Sequence, residues 1–178
     1  MECIVNGDIT DPPTRALLLA NRLIPAAKSD EETDIRPIAV QDAFVRTAGV
    51  WVMNALKEQL PKVFTGVTQL GSGSPGGAVR AVHAIYGFLS AEPDSVNVAM
   101  DFKNAFNTRS RTSMAKALYN EPKLNKAWKL FHWLYSDPSA LLIYDGVERI
   151  ATIKSARGVR QGCAIGGLAF NLSTQESY

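Results

Sequence analysis

The stretch VNVAMDFKNAFNTRSR, residues 96–111, sets an aspartate at the end of an alternating apolar run. Val96, Val98, Met100 and Phe102 alternate with Asn97, Ala99 and Asp101, the period of a strand with one greasy face and one open face. The pattern puts Asp101 on the open face at the strand's end, where carboxylate and backbone can reach a ligand together. Magnesium takes oxygen ligands and often uses one or two carboxylates beside substrate phosphates. Asp101 with the Phe102 carbonyl would make half of such a site. The alternative is an aspartate that only caps the turn after the strand, and the residue alone does not decide between them.

A second group of chemically useful residues lies in ARGVRQGCAIGGLAF. Arg157 and Arg160 offer cations, and Gln161 offers an amide that donates and accepts. Gly158, Gly162, Gly166 and Gly167 let backbone approach a flat or charged partner. The loop feeds a helix N-terminus, which favours anions; against this stands a flexible loop with solvated arginines. The Gly/Ser-rich VTQLGSGSPGGAVRAVHAI lacks the Gly-Lys-Ser/Thr of a P-loop, so its glycines are weak evidence for phosphate binding. His83 has no second histidine at metal-ligand spacing and reads as a surface or core-edge residue. In IRPIAV, Arg36 is held extended by Pro37.

Several elements must position these groups. Residues 14–27 read as a short helix followed by the acidic connector SDEETD, and RPIAV as an extended segment. Residues 41–60 form an amphipathic pattern in which Phe44, Val45, Ala48, Trp51, Val52, Ala55 and Leu56 share a face. A Gly/Ser loop then leads to a helix over 78–89, EPDS makes a turn, and the 96–102 strand follows. Residues 111–119 and 122–135 read as helices, the second burying Leu124, Trp128, Phe131 and Leu134 while Lys123, Lys126 and Lys129 face outward. ALLIYDGVERIATI is a hairpin around Asp145-Gly146, a dipeptide favoured in type I′ turns. A small-residue helix starts near Ala164 and is still running at Tyr178, so the chain reads as cut.

At 178 residues, 46% hydrophobic and 20% charged, the sequence suits one globular domain with a real core. The net charge of +2 leaves nucleic-acid attraction to local clusters. Cys3 and Cys163 stand far apart, which argues against a thiolate metal site and suits a reducing compartment. MECIVNGD does not resemble a signal peptide, and ALLLANRLIPAA is broken by Asn21, Arg22 and Pro25 and cannot span a bilayer. The expected location is intracellular, cytoplasm or nucleus, without membrane contact.

In their order along the chain, DIRPIAV, TQLGSGSPGGAVRAVHAI, VAMDFKNAFNTRSR and PSALLIYDG with SARGVRQG resemble the reverse transcriptase domain of non-LTR (LINE-like) retroelements, from about Arg36 to Leu172. VAMDFKNAFN is similar to the family's first palm motif and GVRQG to its nucleotide- and template-contacting motif. The resemblance implies an α/β (α+β) fold: the fingers and partial palm of a right-hand polymerase, with antiparallel palm strands packed on helices. It divides the chain into an N-terminal helix and acidic connector, 1–33, and a partial reverse transcriptase domain, 34–178. It implies that Asp101 is a catalytic carboxylate and, with the Phe102 carbonyl, a magnesium ligand. Phe106 would lie under the incoming sugar as a steric gate. Gln161, Gly162 and the neighbouring Arg160 would line the nucleotide and template pocket, and Arg36 would reach the triphosphate.

The implied reaction is RNA-directed DNA synthesis, a nucleotidyltransferase step in which a primer 3′-hydroxyl attacks an α-phosphate. Two metals about 3.5–4 Å apart assist it. Partners would be an RNA template, a DNA primer and deoxynucleoside triphosphates. The chain departs from the family in Asn107, where relatives often have an acid, and in CAIGG after GVRQG. It also contains no Asp-Asp pair, whereas the family takes further metal carboxylates from an aromatic-x-Asp-Asp hairpin. The two Mg²⁺ ions are therefore expected in a complete domain, not stably held by this chain, and the chain alone is expected to be inactive. The alternatives are a non-catalytic nucleic-acid-binding module, gripping phosphates through Arg109, Arg111, Lys116, Arg149, Lys154, Arg157 and Arg160, or a decayed retroelement remnant.

Overall fold

Three helices of this chain start at a short polar side chain that accepts a backbone N–H of the first turn: Asp11, Asp42 and Ser110. The computed structural model describes residues 1–27, 35–64 and 69–175; the acidic connector expected at 29–34 lies outside them. Helix α1 (Glu2–Asn6) ends at Gly7, whose φ of 74° suits a residue without Cβ. Helix α2 (Pro12–Leu19) opens at Asp11, whose carboxylate accepts the Thr14 N–H at 3.0 Å and the Thr14 hydroxyl at 2.6 Å.

The helix expected over 14–27 stops at Leu19, and Asn21–Ala27 is instead strand β1. A helix through Pro25 would lose a backbone hydrogen bond and clash one turn back. The extended alternative has a partner: β1 runs antiparallel to β2 (Ile35–Val40), with Pro25 opposite Pro37. Its parallel pairing with β3 (Ser139–Asp145) covers only Asn21 and Arg22, so Pro25 lies beyond that ladder and breaks none of its bonds. Strand β4 (Glu148–Ser155) completes a four-stranded sheet in the order β2-β1-β3-β4. The chain is thus mixed α/β, and its sheet is mixed rather than purely antiparallel. The β3–β4 hairpin falls where the sequence places it, but only Gly146 of the loop has positive φ, so the turn is not type I′.

Helix α3 (Ala43–Leu56) is capped by Asp42, which accepts the Phe44 and Val45 N–H groups. It is shorter than the expected 41–60, and the chain re-enters helix at α4 (Leu60–Phe64). Val45, Ala48, Val52 and Leu56 are buried as the pattern implies, whereas Phe44, Trp51 and Ala55 on the edges of that face are exposed. Helices α5 (Gly77–Ala91), α6 (Ala105–Thr108) and α7 (Arg111–Asn120) follow. A 3-10 turn (Asn125–Ala127) then leads into α8 (Trp128–Tyr135), and α9 (Gly166–Thr174) is the last described helix. Met114 and Leu118 of α7, Leu130, Phe131 and Leu134 of α8, and Ile165 and Leu168 at α9 are buried together with Leu56 and Phe64. Side chains of this size stabilise by about 1.5–3 kcal/mol each when fully buried, so the helices form the core and the sheet flanks it.

The alternating run 96–102 is not a strand. A strand needs a neighbour for its N–H and C=O groups, and the described sheet contains only β1 to β4. Val96, Val98 and Met100 stand at 74–84% exposure. Helix α5 is also open: only Gly77 of it is buried, and His83 is exposed as expected. Among the described residues no helix is long and apolar enough to cross a membrane.

Candidate functional site

Segment 158–162, from GVRQG, is the junction on which the other motifs meet. At its start, the Val159 N–H donates to the Phe106 carbonyl at 2.8 Å. Gly158 has a φ of +60° and is packed so closely on the Phe106 carbonyl and the Asn107 backbone that a Cβ there would overlap them. At its end, the Gln161 carbonyl accepts the Ala39 N–H at 2.8 Å, a parallel bridge to β2. Gly162, at φ +106°, would bring a Cβ to 2.6 Å from the Ala39 carbonyl. Residues far apart in sequence are thereby fixed side by side: the end of DFKNAFN against Gly158–Val159, and IRPIAV against Gln161–Gly162.

Arg160, between those contacts, is turned inward. It is 4% exposed and donates from Nη1 to the Leu19 carbonyl and Ser139 Oγ, and from Nη2 to the Leu134 carbonyl. Its guanidinium lies 4.7 Å from the centre of the Tyr135 ring, and Arg111 lies 5.1 Å from the same ring. The Tyr135 hydroxyl accepts the Arg160 backbone N–H at 3.3 Å. Burial drives the Tyr135 hydroxyl pKa far above its ordinary value, so it stays neutral. Burial likewise draws the Arg111 guanidinium below its usual value, and the neighbouring Arg160 charge adds to this. Arg111 donates from Nε to the Gly158 carbonyl at 2.8 Å and from Nη2 to Ser155. The Arg160 guanidinium, expected among ligand contacts, is therefore engaged in holding the loop.

A cavity of about 1090 Å³ opens above this junction. Arg36, Asp101, Phe102, Phe106, Arg160, Gln161 and Gly162 all contribute to its wall, as do Lys103, Asn104 and Cys163. The residues proposed from separate motifs are thus brought to one concavity. Asp101 is exposed, with Oδ1 accepting the Phe102 N–H at 2.9 Å, and it sits in irregular backbone rather than at a strand end. Asn104 takes a φ of 54°, the positive value asparagine tolerates better than most residues, and turns the chain into α6. Phe106 is half-buried and stacks on Phe170 of α9 with ring centres 4.7 Å apart.

Besides the inward-turned Arg160, this wall carries two cations, Arg36 and Lys103, and a single carboxylate, Asp101. Neither is in an ion pair among the described residues. Their excess suits an anionic ligand with several oxygens, such as a polyphosphate. Lys103 escaped the sequence reading; its one signal is position, two residues past the aspartate. The donor set does not fit a two-magnesium centre. The wall supplies one carboxylate, and the described residues include no group of three or more His, Cys, Asp or Glu able to hold a metal.

Three of the cations that would make a binding-only surface are structural: Arg160, buried as described, and two more. Arg109 donates to Ser173 through Nε and Nη2, and Arg111 serves the loop as described. Lys116, Arg149, Lys154 and Arg157 are exposed.

No protein-family model matches the chain. A curated relative, the retrotransposable element SLACS 132 kDa protein of Trypanosoma brucei gambiense, is 26% identical over 171 residues. The match takes in 96% of this chain and 14% of that protein. Nearly the whole chain is thus similar to a small part of a retrotransposable-element protein.

Proposed function

We propose that this chain is the fingers and part of the palm of a retroelement RNA-directed DNA polymerase, and that the cavity over segment 158–162 receives the incoming deoxynucleotide and the template base. The observation that supports this best is the convergence of Arg36, Asp101, Phe106, Gln161 and Gly162, from three distant motifs, on one cationic cavity. The similarity to a retrotransposable-element protein agrees with it.

In this reading Arg36 and Lys103 bind the triphosphate, and Phe106 sets the floor beneath the sugar. Gln161 offers its amide and Gly162 its bare backbone to the base pair. Arg160 acts at one remove, keeping the loop in place. Asp101 and the Phe102 carbonyl would offer a metal two oxygens, fewer than a two-magnesium centre uses. The partners are an RNA template and a DNA primer, met in the cytoplasm or nucleus. The isolated chain does not extend a primer.

The test is primer extension on an RNA template by a longer protein that contains this chain. Asp101→Ala should abolish extension while leaving the fold intact by circular dichroism. Full extension by that variant would remove Asp101 from the reaction.

A further inference from the structure

A second cavity, of about 650 Å³, shares no wall residue with the first. It lies between α1, α3 and the α7–α8 region. Trp51, Tyr119 and Trp128 supply aromatic surface, and Lys126 and Lys129 supply charge. Trp51 and Tyr119 are 55% and 65% exposed, unusual for rings that have a core beside them. Tyr119 meets Trp128 edge-on at 5.5 Å, which fixes the angle between those two rings. Asn6 and Asn125 add amides able to pair with polar edges, and no carboxylate lines the cavity. Neither lysine is in an ion pair among the described residues.

Exposed aromatic faces interleaved with unpaired cations form the combination that holds single-stranded nucleic acid. Bases stack on the rings and phosphates meet the lysines. The volume lies in the range that accommodates a nucleotide-sized unit. An apolar protein segment would use the rings but gain nothing from two desolvated lysines. The charge therefore selects an anionic strand over a greasy peptide.

We infer that this cavity is a single-strand binding site in which an unpaired base stacks on Trp51 and Tyr119 and the adjoining phosphates are held by Lys126 and Lys129. It goes beyond the polymerase reading and needs none of that reading's residues.

The test is a fluorescence titration of the full chain with a short oligouridylate and with an abasic strand of equal charge. The third tryptophan, Trp133, is 4% exposed and donates to the Ile9 carbonyl, so it serves as a silent reference. The oligouridylate should quench the emission and the abasic strand should bind more weakly. Trp51→Ala, at an exposed position, should weaken binding about 5- to 100-fold. The pair Lys126→Gln and Lys129→Gln should reduce the slope of log affinity on log salt by about 1.4, at about 0.7 per phosphate contact on a single strand. Binding that is insensitive to these changes but lost in Arg36→Ala would place the strand in the first cavity and overturn the inference. So would equal binding of the abasic strand. Absence of quenching, with an environment-sensitive apolar dye displaced from the cavity by Trp51→Ala, would mark a docking groove for an apolar segment and overturn it as well.

Discussion

The Val159 N–H donates to the Phe106 carbonyl at 2.8 Å, and through that bond the GVRQG loop is registered against the DFKNAFN motif. A few residues on, Gln161 is bridged to Ile38 of β2. The cavity wall is therefore two pieces of backbone tied to one short segment. Its geometry depends on that segment more than on the side chains that face the ligand.

Gly158 is the point where this registration is most sensitive. At φ +60° any L-residue is strained, and a Cβ would overlap the Phe106 carbonyl and the Asn107 backbone. Gly158→Ala is expected to cost more than about 2 kcal/mol in a urea titration and to speed hydrogen exchange at the Val159 amide. A Cβ added at Gly87 would meet no atom within 4 Å, so Gly87→Ala in helix α5 is the control and should stabilise slightly. Equal unfolding midpoints for the two variants would mean that Gly158 does not hold the junction.

Arg160 should behave as a structural residue. Its guanidinium is spread over two carbonyls, a serine hydroxyl and an aromatic face, a planar fork that an ammonium cannot reproduce. Arg160→Lys is expected to lose roughly 2–4 kcal/mol, because buried acceptors are left poorly paired. Arg36→Lys, on an exposed strand position, should stay within about 0.5 kcal/mol of the parent. Nearly equal stabilities for the two variants would return Arg160 to the ligand-binding group.

Much of this arrangement can be read along the chain, because its causes are local. Asp42 before an amphipathic run starts α3, Gly76 precedes α5, and Asp145-Gly146 adjoins the hairpin turn. Convergence of Arg36, Asp101 and Gln161 is expected only through the family resemblance; spacing alone cannot bring the three together. What escaped has non-local causes. The alternation over 96–102 has the period of a strand, but a period does not supply the neighbouring strand that closes a ladder. Strand β1 hides inside the interrupted apolar run ALLLANRLIPAA, whose helix and strand readings differ only once β2 is there to pair with it. An arginine in a glycine-bearing loop reads as a cation for a ligand. The acceptors that turn Arg160 inward come from Leu19, Leu134 and Ser139, and no local pattern joins them to it.

Phe106 carries two roles that can be separated. Its ring stacks on Phe170, which contributes to stability, and under the polymerase reading the same ring excludes a 2′-hydroxyl. In a longer protein containing this chain, Phe106→Val should raise ribonucleotide incorporation about tenfold or more relative to deoxynucleotide. The isolated chain should lose about 1–2 kcal/mol from the stack and the reduced burial. Loss of stability with unchanged sugar discrimination would confine Phe106 to packing.

The link between α2 and the end of α8 should carry a pH signature of its own. The Asp137 carboxylate accepts from the Ser136 hydroxyl and from Arg15 Nη1 at 2.7 Å, and both hold its pKa below the ordinary 3.8. A carboxyl whose pKa is lowered by folding adds stability that is complete above the unfolded value and is lost as pH falls through the folded one. Asp137 is 64% exposed at its side chain, so solvent limits the gain to about 0.2–1 kcal/mol. Asp137→Asn should therefore melt up to about 3 °C below the parent at neutral pH, and the gap should close below about pH 4. Arg15 also donates to the Trp133 carbonyl and Ser136 Oγ, so Arg15→Met should cost more than Asp137→Asn and keep part of its deficit in acid. A gap for Asp137→Asn that persists undiminished to about pH 2.5, well below the unfolded carboxyl value, would show that the charge on Asp137 adds nothing to the fold.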